Sequence, residues 1–177
     1  MRWNRRFELP ADARSALGLQ DRERVLAAAR LTDGSWAAAT PTALLRGGLR
    51  LDWVATAHAM WDHESSTLQV EEMRTGDGQG TTHFLALDVP GLLPEVVFER
   101  VTASIVASRH VPVQGRAGLR VVVRRAPGQD ELVWQVVHDR GLDETDPRVA
   151  EVRAAAITDL RRELGAQPPS HDREALS

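Results

Sequence analysis

In residues 49–70, LRLDWVATAHAMWDHESSTLQV, apolar side chains fall on every second position: Leu49, Leu51, Trp53, Ala55, Ala57, Ala59 and Trp61. Arg50, Asp52, Thr56, His58 and Asp62 stand between them, with Val54 and Met60 as exceptions. Side chains leave a strand on alternate faces, so this pattern predicts one half-buried strand running from Leu49 to Trp61. The chain then turns through Asp62-His63-Glu64-Ser65-Ser66 and returns as Leu68-Gln69-Val70. Closing that hairpin at Asp62 and Thr67 sets Trp61 opposite Leu68 and Ala59 opposite Val70. A slip of one residue would set Trp61 against Gln69, so burial specifies the register.

Turn signals mark the remaining strands. Asp33-Gly34 between the apolar runs 25–31 and 36–40 predicts a hairpin, because both residues tolerate positive φ. A two-residue turn there pairs Leu31 with Trp36 and Ala29 with Ala38. Residues 82–87 predict a further strand. Residues 119–125 and 132–137 predict a third hairpin, with Val121 and Val123 on the face of Trp134 and Val136. Arg120 and Arg124 then share the other face. Trp36, Trp53, Trp61 and Trp134 are all expected to face the interior.

Helix signals are fewer. Residues 10–18 read as one or two turns, opened by Pro10 and stopped by Gly18. Residues 90–105 carry Leu93, Val97, Val101 and Ile105 at four-residue spacing, which makes one apolar stripe. Asp146-Pro147 is the entry chemistry of a helix reaching Leu164, with Gly165 as its stop. The fold class is therefore α+β: antiparallel β-hairpins with one middle helix and one C-terminal helix.

The length suits one domain. An N-terminal arm and short helix occupy 1–20, a single α+β domain 21–165 and a disordered tail 166–177. The arm is basic, with Arg2, Arg5 and Arg6 beside Trp3 and Phe7. Spaced four apart, those aromatics can dock on the domain, or the terminus can fray. There is no cysteine, which excludes disulfides, thiolate catalysis and Cys-ligated metals. No secretory signal is visible, and no run approaches the length of a membrane span. A cytoplasmic chain is expected. A formal charge of −3 is too small to imply a nucleic-acid or membrane partner.

His58, Asp62, His63 and Glu64 lie close enough in sequence to suggest a metal-dependent hydrolase. His63 and Glu64 sit in a turn, however, and no known ligand spacing is present. A polar hairpin tip with His58 facing Glu71 accounts for the same residues, so no metal and no cofactor are expected. Gly76-Asp77-Gly78-Gln79-Gly80 resembles a phosphate loop but leads into a strand, whereas phosphate loops open a helix. Ser104, Ser108, His110 and Asp139 can be drawn into a triad, with no spacing to support one. Charge is more distinctive. Six arginines and no carboxylate lie between Arg100 and Arg125, while residues 62–99 hold eight carboxylates against Arg74 alone. Arg109, Arg116, Arg120 and Arg124 are the candidate anion-binding residues, unless the neighbouring carboxylates pair with them. An anion- or nucleic-acid-binding protein using that segment is the alternative reading, although aromatics for base stacking are missing from it, which argues against single-strand binding.

The leader 9–19, Glu23-Arg24-Val25-Leu26-Ala27, Asp33-Gly34-Ser35-Trp36 with Ala39-Thr40, Leu51-Asp52-Trp53-Val54 with Trp61-Asp62, and Leu68-Gln69-Val70 follow one another in an order that resembles the bacterial pleckstrin-homology-like domains. The resemblance covers about half the chain. It implies a strongly bent sheet or partly open barrel of about seven strands, closed at one end by the last helix. It also implies a non-catalytic binding or interaction module. The helix at 93–105 interrupts the strand series. The first hairpin loop is acidic where lipid-binding members carry basic residues, which argues against phosphoinositide binding. The expected partner is a protein, with self-association through an exposed sheet edge one form of it.

Overall fold

The computed structural model describes residues 9–20, 22–73 and 80–165. The arm with Trp3 and Phe7, the loop residues Gly76 to Gln79 and the 166–177 tail lie outside the described residues. Two compact units are present. One runs to Ile105 and includes Arg125–Leu132; the other comprises Val106–Arg124 and the chain from Val133 onward. The described residues form an α+β structure of three antiparallel sheets and three helices.

The first unit begins with α1 (Ala11–Ala16), entered at Pro10. A helix this short is marginal alone. It is held because Leu9, Ala13 and Leu17 pack on Ala28, Ala38, Ala43 and Leu45. These last four lie on β1 (Ala27–Arg30), β2 (Trp36–Ala39) and β3 (Ala43–Arg46), which with β4 (Leu49–Asp52) form a sheet in sequence order. Its other face, including Ala29, Leu31, Ala37, Leu44 and Leu51, belongs to the main core. Both faces of β1 and β2 are thus buried, and small alanines let the layers approach closely. Alternation cannot register this arrangement, because neither face is polar.

The first hairpin differs from the expectation by one residue. Ala29 faces Ala37 and Arg30 faces Trp36, while the Leu31 N–H donates to the Ser35 carbonyl at 2.8 Å. The loop therefore has three residues. Asp33 accepts from the Ser35 N–H at 2.9 Å and from its hydroxyl at 2.6 Å, and Gly34 takes φ 84°. That is the chemistry of a three-residue loop with a bulge, and it displaces the two-residue alternative. Trp36 consequently faces the α1 side.

The expected single strand from Leu49 to Trp61 is broken. One 3-10 turn, Trp53–Ala55, separates β4 from β5 (Thr56–Asp62), and the two strands belong to different sheets. The Trp53 N–H donates to the Thr42 carbonyl at 3.0 Å and the Thr56 hydroxyl to the Asp52 carbonyl at 3.0 Å. The indole enters the core, where its Nε1–H donates to the Thr40 carbonyl at 3.0 Å. Apolar parity survives the corner, so the sequence pattern does not reveal it. Of the four tryptophans only Trp53 is fully buried, at 1% exposure. Trp36, Trp61 and Trp134 are half-buried; Trp61 packs against the main core and Trp36 against the cluster under α1.

β5 pairs with β6 (Thr67–Glu72) in the expected register, Trp61 with Leu68, Ala59 with Val70 and His58 with Glu71. β7 (Thr82–Ala86) completes this sheet in the order β5-β6-β7. β7 also meets the end of β1. Leu31 bridges Leu87, the Thr32 N–H donates to the Ala86 carbonyl at 3.0 Å, and the Asp88 N–H donates to the Arg30 carbonyl at 2.9 Å. α2 (Leu93–Ala103) then packs on β5, β1 and β2 through Leu93, Val97 and Val101. Burying each side chain contributes roughly 1.5–3 kcal/mol. The stripe stops one turn early: Ile105 is exposed and opens the next strand, not the last helical turn.

The second unit is a sheet of order β10-β9-β8 with one helix. β8 (Ile105–Gln114) was not evident in the sequence, and Pro112 in it fits its place at a sheet edge. β9 (Ala117–Arg125) and β10 (Leu132–His138) are the expected third hairpin. α3 (Pro147–Leu164) begins where Asp146 accepts the Arg148 N–H at 2.9 Å and ends at Gly165 with φ 62°. Val149, Ala156 and Leu160 form its buried side. Near its end the Arg161 guanidinium lies 5.4 Å over the Trp134 ring.

Candidate functional site

Register places nine side chains on the outer face of β5-β6-β7, away from the buried Ala59, Leu68, Val70 and Leu85. They form three rows across the strands: Asp62-Thr67-Ala86, Met60-Gln69-Phe84 and His58-Glu71-Thr82. The middle row is unusual because Met60 is 45% and Phe84 58% exposed. An exposed aromatic and an exposed methionine flanking one glutamine mark the chemistry of contact surfaces. The free edge of β7 is already engaged, since Arg46 donates to the Phe84 carbonyl at 3.3 Å and Thr32 to that of Ala86. What the sheet offers at this strand is its face. Met60 stood out in the sequence as an exception to alternation. Phe84 could have been found from the parity of residues 82–87.

The residues considered for a metal have other engagements. His58 faces Glu71 across the strands. His63 Nδ1 accepts from the Trp61 Nε1–H at 3.0 Å. Asp62 accepts from the Ser65 hydroxyl at 2.7 Å and the Glu64 N–H at 2.9 Å, and these bonds hold its carboxyl below the usual range. Among the described residues no group of three or more His, Asp and Glu is placed to hold a metal ion. Elsewhere in this unit an open cleft of about 370 Å³ is lined by Gln20, Arg22, Glu23, Thr42 and Arg50. Arg50 is committed there to Glu23 and Asp52, both at 3.1 Å, and to Thr42 at 2.8 Å.

In the second unit, Arg109 on β8 donates to both Glu163 oxygens at 2.6 Å, and that bond raises its pKa. Arg116 is exposed in the turn before β9. Arg120 and Arg124 do not share one exposed face: Arg120 is exposed, whereas Arg124 is 2% exposed and burial lowers its pKa. The interior extends over both faces of β9, from Val121 through Arg124. Outside the candidate set, Arg100 of α2 pairs with Glu99.

His110 and Asp139 do come together. His110 Nε2 lies 2.8 Å from Asp139 Oδ2, which also accepts the Gly118 N–H at 2.9 Å. In a serine hydrolase the acid grips Nδ1 and leaves Nε2 for the nucleophile; here Nε2 is the nitrogen engaged. Ser104 is buried and donates to the Val101 carbonyl at 2.6 Å. The pair is a clamp from the middle of β8 to the start of β9 and the end of β10. Its bonds to His110, then to Gly118, hold the Asp139 carboxyl below the usual carboxylate range, and the positive charge of Arg120 adds to this. A depressed carboxyl contributes stability above its unfolded value, and that contribution is lost as pH falls through the lower folded value. Asp139→Asn should therefore flatten the acid limb of the stability profile, measured as denaturation midpoint between about pH 5 and pH 2. Parallel wild-type and variant profiles would count against the clamp.

No helix among the described residues is long and apolar enough to cross a membrane. No protein-family model matches the chain, and comparison with curated proteins and with solved structures finds no match.

Proposed function

We propose that this chain is a non-catalytic cytoplasmic binding module that receives a protein segment on the outer face of β5-β6-β7. The observation that carries this reading is the in-register row Met60-Gln69-Phe84, two large apolar side chains exposed on a sheet face that is otherwise polar apart from Ala86. A pleckstrin-homology-like identity for the first unit is part of the proposal. Its support is the order of elements: four strands, three strands, then α2, whose apolar stripe packs against β5, β1 and β2. In that comparison α2 is the closing helix and not an interruption of the strand series. The loop beside β1 carries Asp33, paired with Arg46 at 3.4 Å, which favours a protein ligand over an anionic headgroup.

Panning a displayed peptide library against the full chain tests the reading. Peptides containing aromatic residues should be selected by the wild type and lost with Met60→Ser/Phe84→Ser. Hot-spot truncations of this kind cost about 2 kcal/mol or more, a fall in affinity of roughly thirtyfold. Selected peptides that bind the double variant equally well would overturn it, as would failure to select any.

A further inference from the structure

We infer that β10 is an edge for pairing with a second copy of this chain, so that two β10-β9-β8 sheets join about a two-fold axis at Gln135. This edge is in the second unit, and the inference is independent of the face proposed above. The first observation is how the ends of the described sheets are protected. An end strand presents unpaired N–H and C=O groups, and natural edges are blunted by charge, proline, bulges or shortness. β7 is joined to the end of β1 by the Leu31–Leu87 bridge. β4 has four residues and carries Arg50 and Asp52. β5 carries His58 and Asp62, with a register irregularity between Thr56 and His58. β8 carries Arg109, His110 and Pro112. β10 ends the same sheet as β8, yet its sequence LVWQVVH has no proline and no ionisable side chain before His138, its last residue. Val137 on this strand is 42% exposed.

The second observation is that the strand complements itself, which an interface of this symmetry requires. A two-fold axis perpendicular to the sheet keeps each face on its own side, so residues that meet across it share parity. An axis at Gln135 sets Val133 against Val137, Trp134 against Val136 and Gln135 against its own copy. Apolar side chains then meet apolar ones on both faces, and amide meets amide. Trp134 with Val136 is an aromatic–β-branched pair of the kind that stabilises antiparallel strands. An axis at Trp134 or at Val136 would instead set Gln135 against Val133 or Val137. This self-complementarity favours a second copy over a foreign strand.

Charge just outside the strand is mixed: the same register sets Asp130 against Arg140 but Glu131 against Asp139. The paired strip is about 24 Å by 10 Å, roughly 240 Å². A stable dimer buries about 800 Å² on each partner. Pairing at this edge is therefore weak and depends on concentration.

Sedimentation of the full chain from low micromolar to near-millimolar concentration tests this, and a monomer–dimer equilibrium is expected. Val137→Lys should weaken it about tenfold or more, because the axis counts each change twice. Glu131→Arg replaces a like-charge pair by an attractive one and should tighten it about fivefold at low salt. A single cysteine reads the register, since the chain has none of its own. Residues facing each other across antiparallel strands have Cα atoms about 4.5–5.5 Å apart, within the span of a disulfide. Gln135→Cys should therefore give a disulfide-linked dimer on oxidation. Val133→Cys places the two thiols four residues out of register, roughly 14 Å apart, and should give none. A wild-type chain that stays monomeric over the whole range overturns the inference. So does a dimer that neither Val137→Lys nor Glu131→Arg alters, or one in which Val133→Cys crosslinks as readily as Gln135→Cys, because the contact is then elsewhere.

Discussion

Trp53→Ala is expected to lower the free energy of unfolding by about 3–5 kcal/mol, the range for deleting a large buried aromatic. Trp53 is 1% exposed, turns the chain from one sheet to the next and gives its Nε1–H to the Thr40 carbonyl. Thr40 is itself fully buried. The variant therefore opens a cavity and also leaves a buried acceptor without that donor, a further loss of about 1–3 kcal/mol unless water enters. Against a typical total of about 5–15 kcal/mol, this approaches global unfolding. Trp61→Ala is the matched comparison, since Trp61 is half-buried and its Nε1–H goes to exposed His63. Its loss should be roughly half as large, in proportion to the area buried. Denaturation midpoints measure both. Equal losses for the two variants would mean that the corner at Trp53 is not the centre of the first unit's stability.

Gly118→Ala is the second large effect, and it arises from contact instead of a cavity. A Cβ on Gly118 would overlap the Val111 carbonyl oxygen and lie 2.7 Å from the Pro112 Cα. Both are backbone atoms, so no side chain can rotate away. β8 would have to move, and with it the site where Asp139 accepts the Gly118 N–H and donates its own N–H to the Gly118 carbonyl. Overpacking against side chains costs about 1–3 kcal/mol, and an immovable neighbour places this variant at or above that range. Gly115→Ala is the control. Gly115 has φ 63° but nothing within 4 Å of a Cβ, so only the left-handed backbone is penalised, by roughly 1–2 kcal/mol. Thermal melts, with hydrogen exchange of β8 and β9 amides, separate the two. A Gly118→Ala protein no less stable than Gly115→Ala would show that β8 does not press on β9 as described.

Local chemistry made much of this fold legible in the sequence. Asp146, Pro147 and Gly165 bounded α3 because capping is decided within a few residues of chain. The β5–β6 register followed from Trp61, Ala59, Leu68 and Val70, because one face of that sheet is buried and the other is wet. The first hairpin went wrong for the opposite reason. Both faces of Ala27, Ala28 and Ala29 are buried, so hydrophobicity could not set the register, and the Asp33 bonds to Ser35 did. Three features were decided only by tertiary structure. Trp53 breaks a continuous alternating run because its indole finds Thr40, thirteen residues away. Arg124 and Arg120 share strand parity, yet one is buried and the other exposed, since parity specifies a direction and not what lies there. Met60 and Phe84 are more than twenty residues apart and become neighbours across Gln69 only through two hairpin registers. Side-chain identity and parity are local properties, whereas burial depends on which distant segment arrives to cover a face.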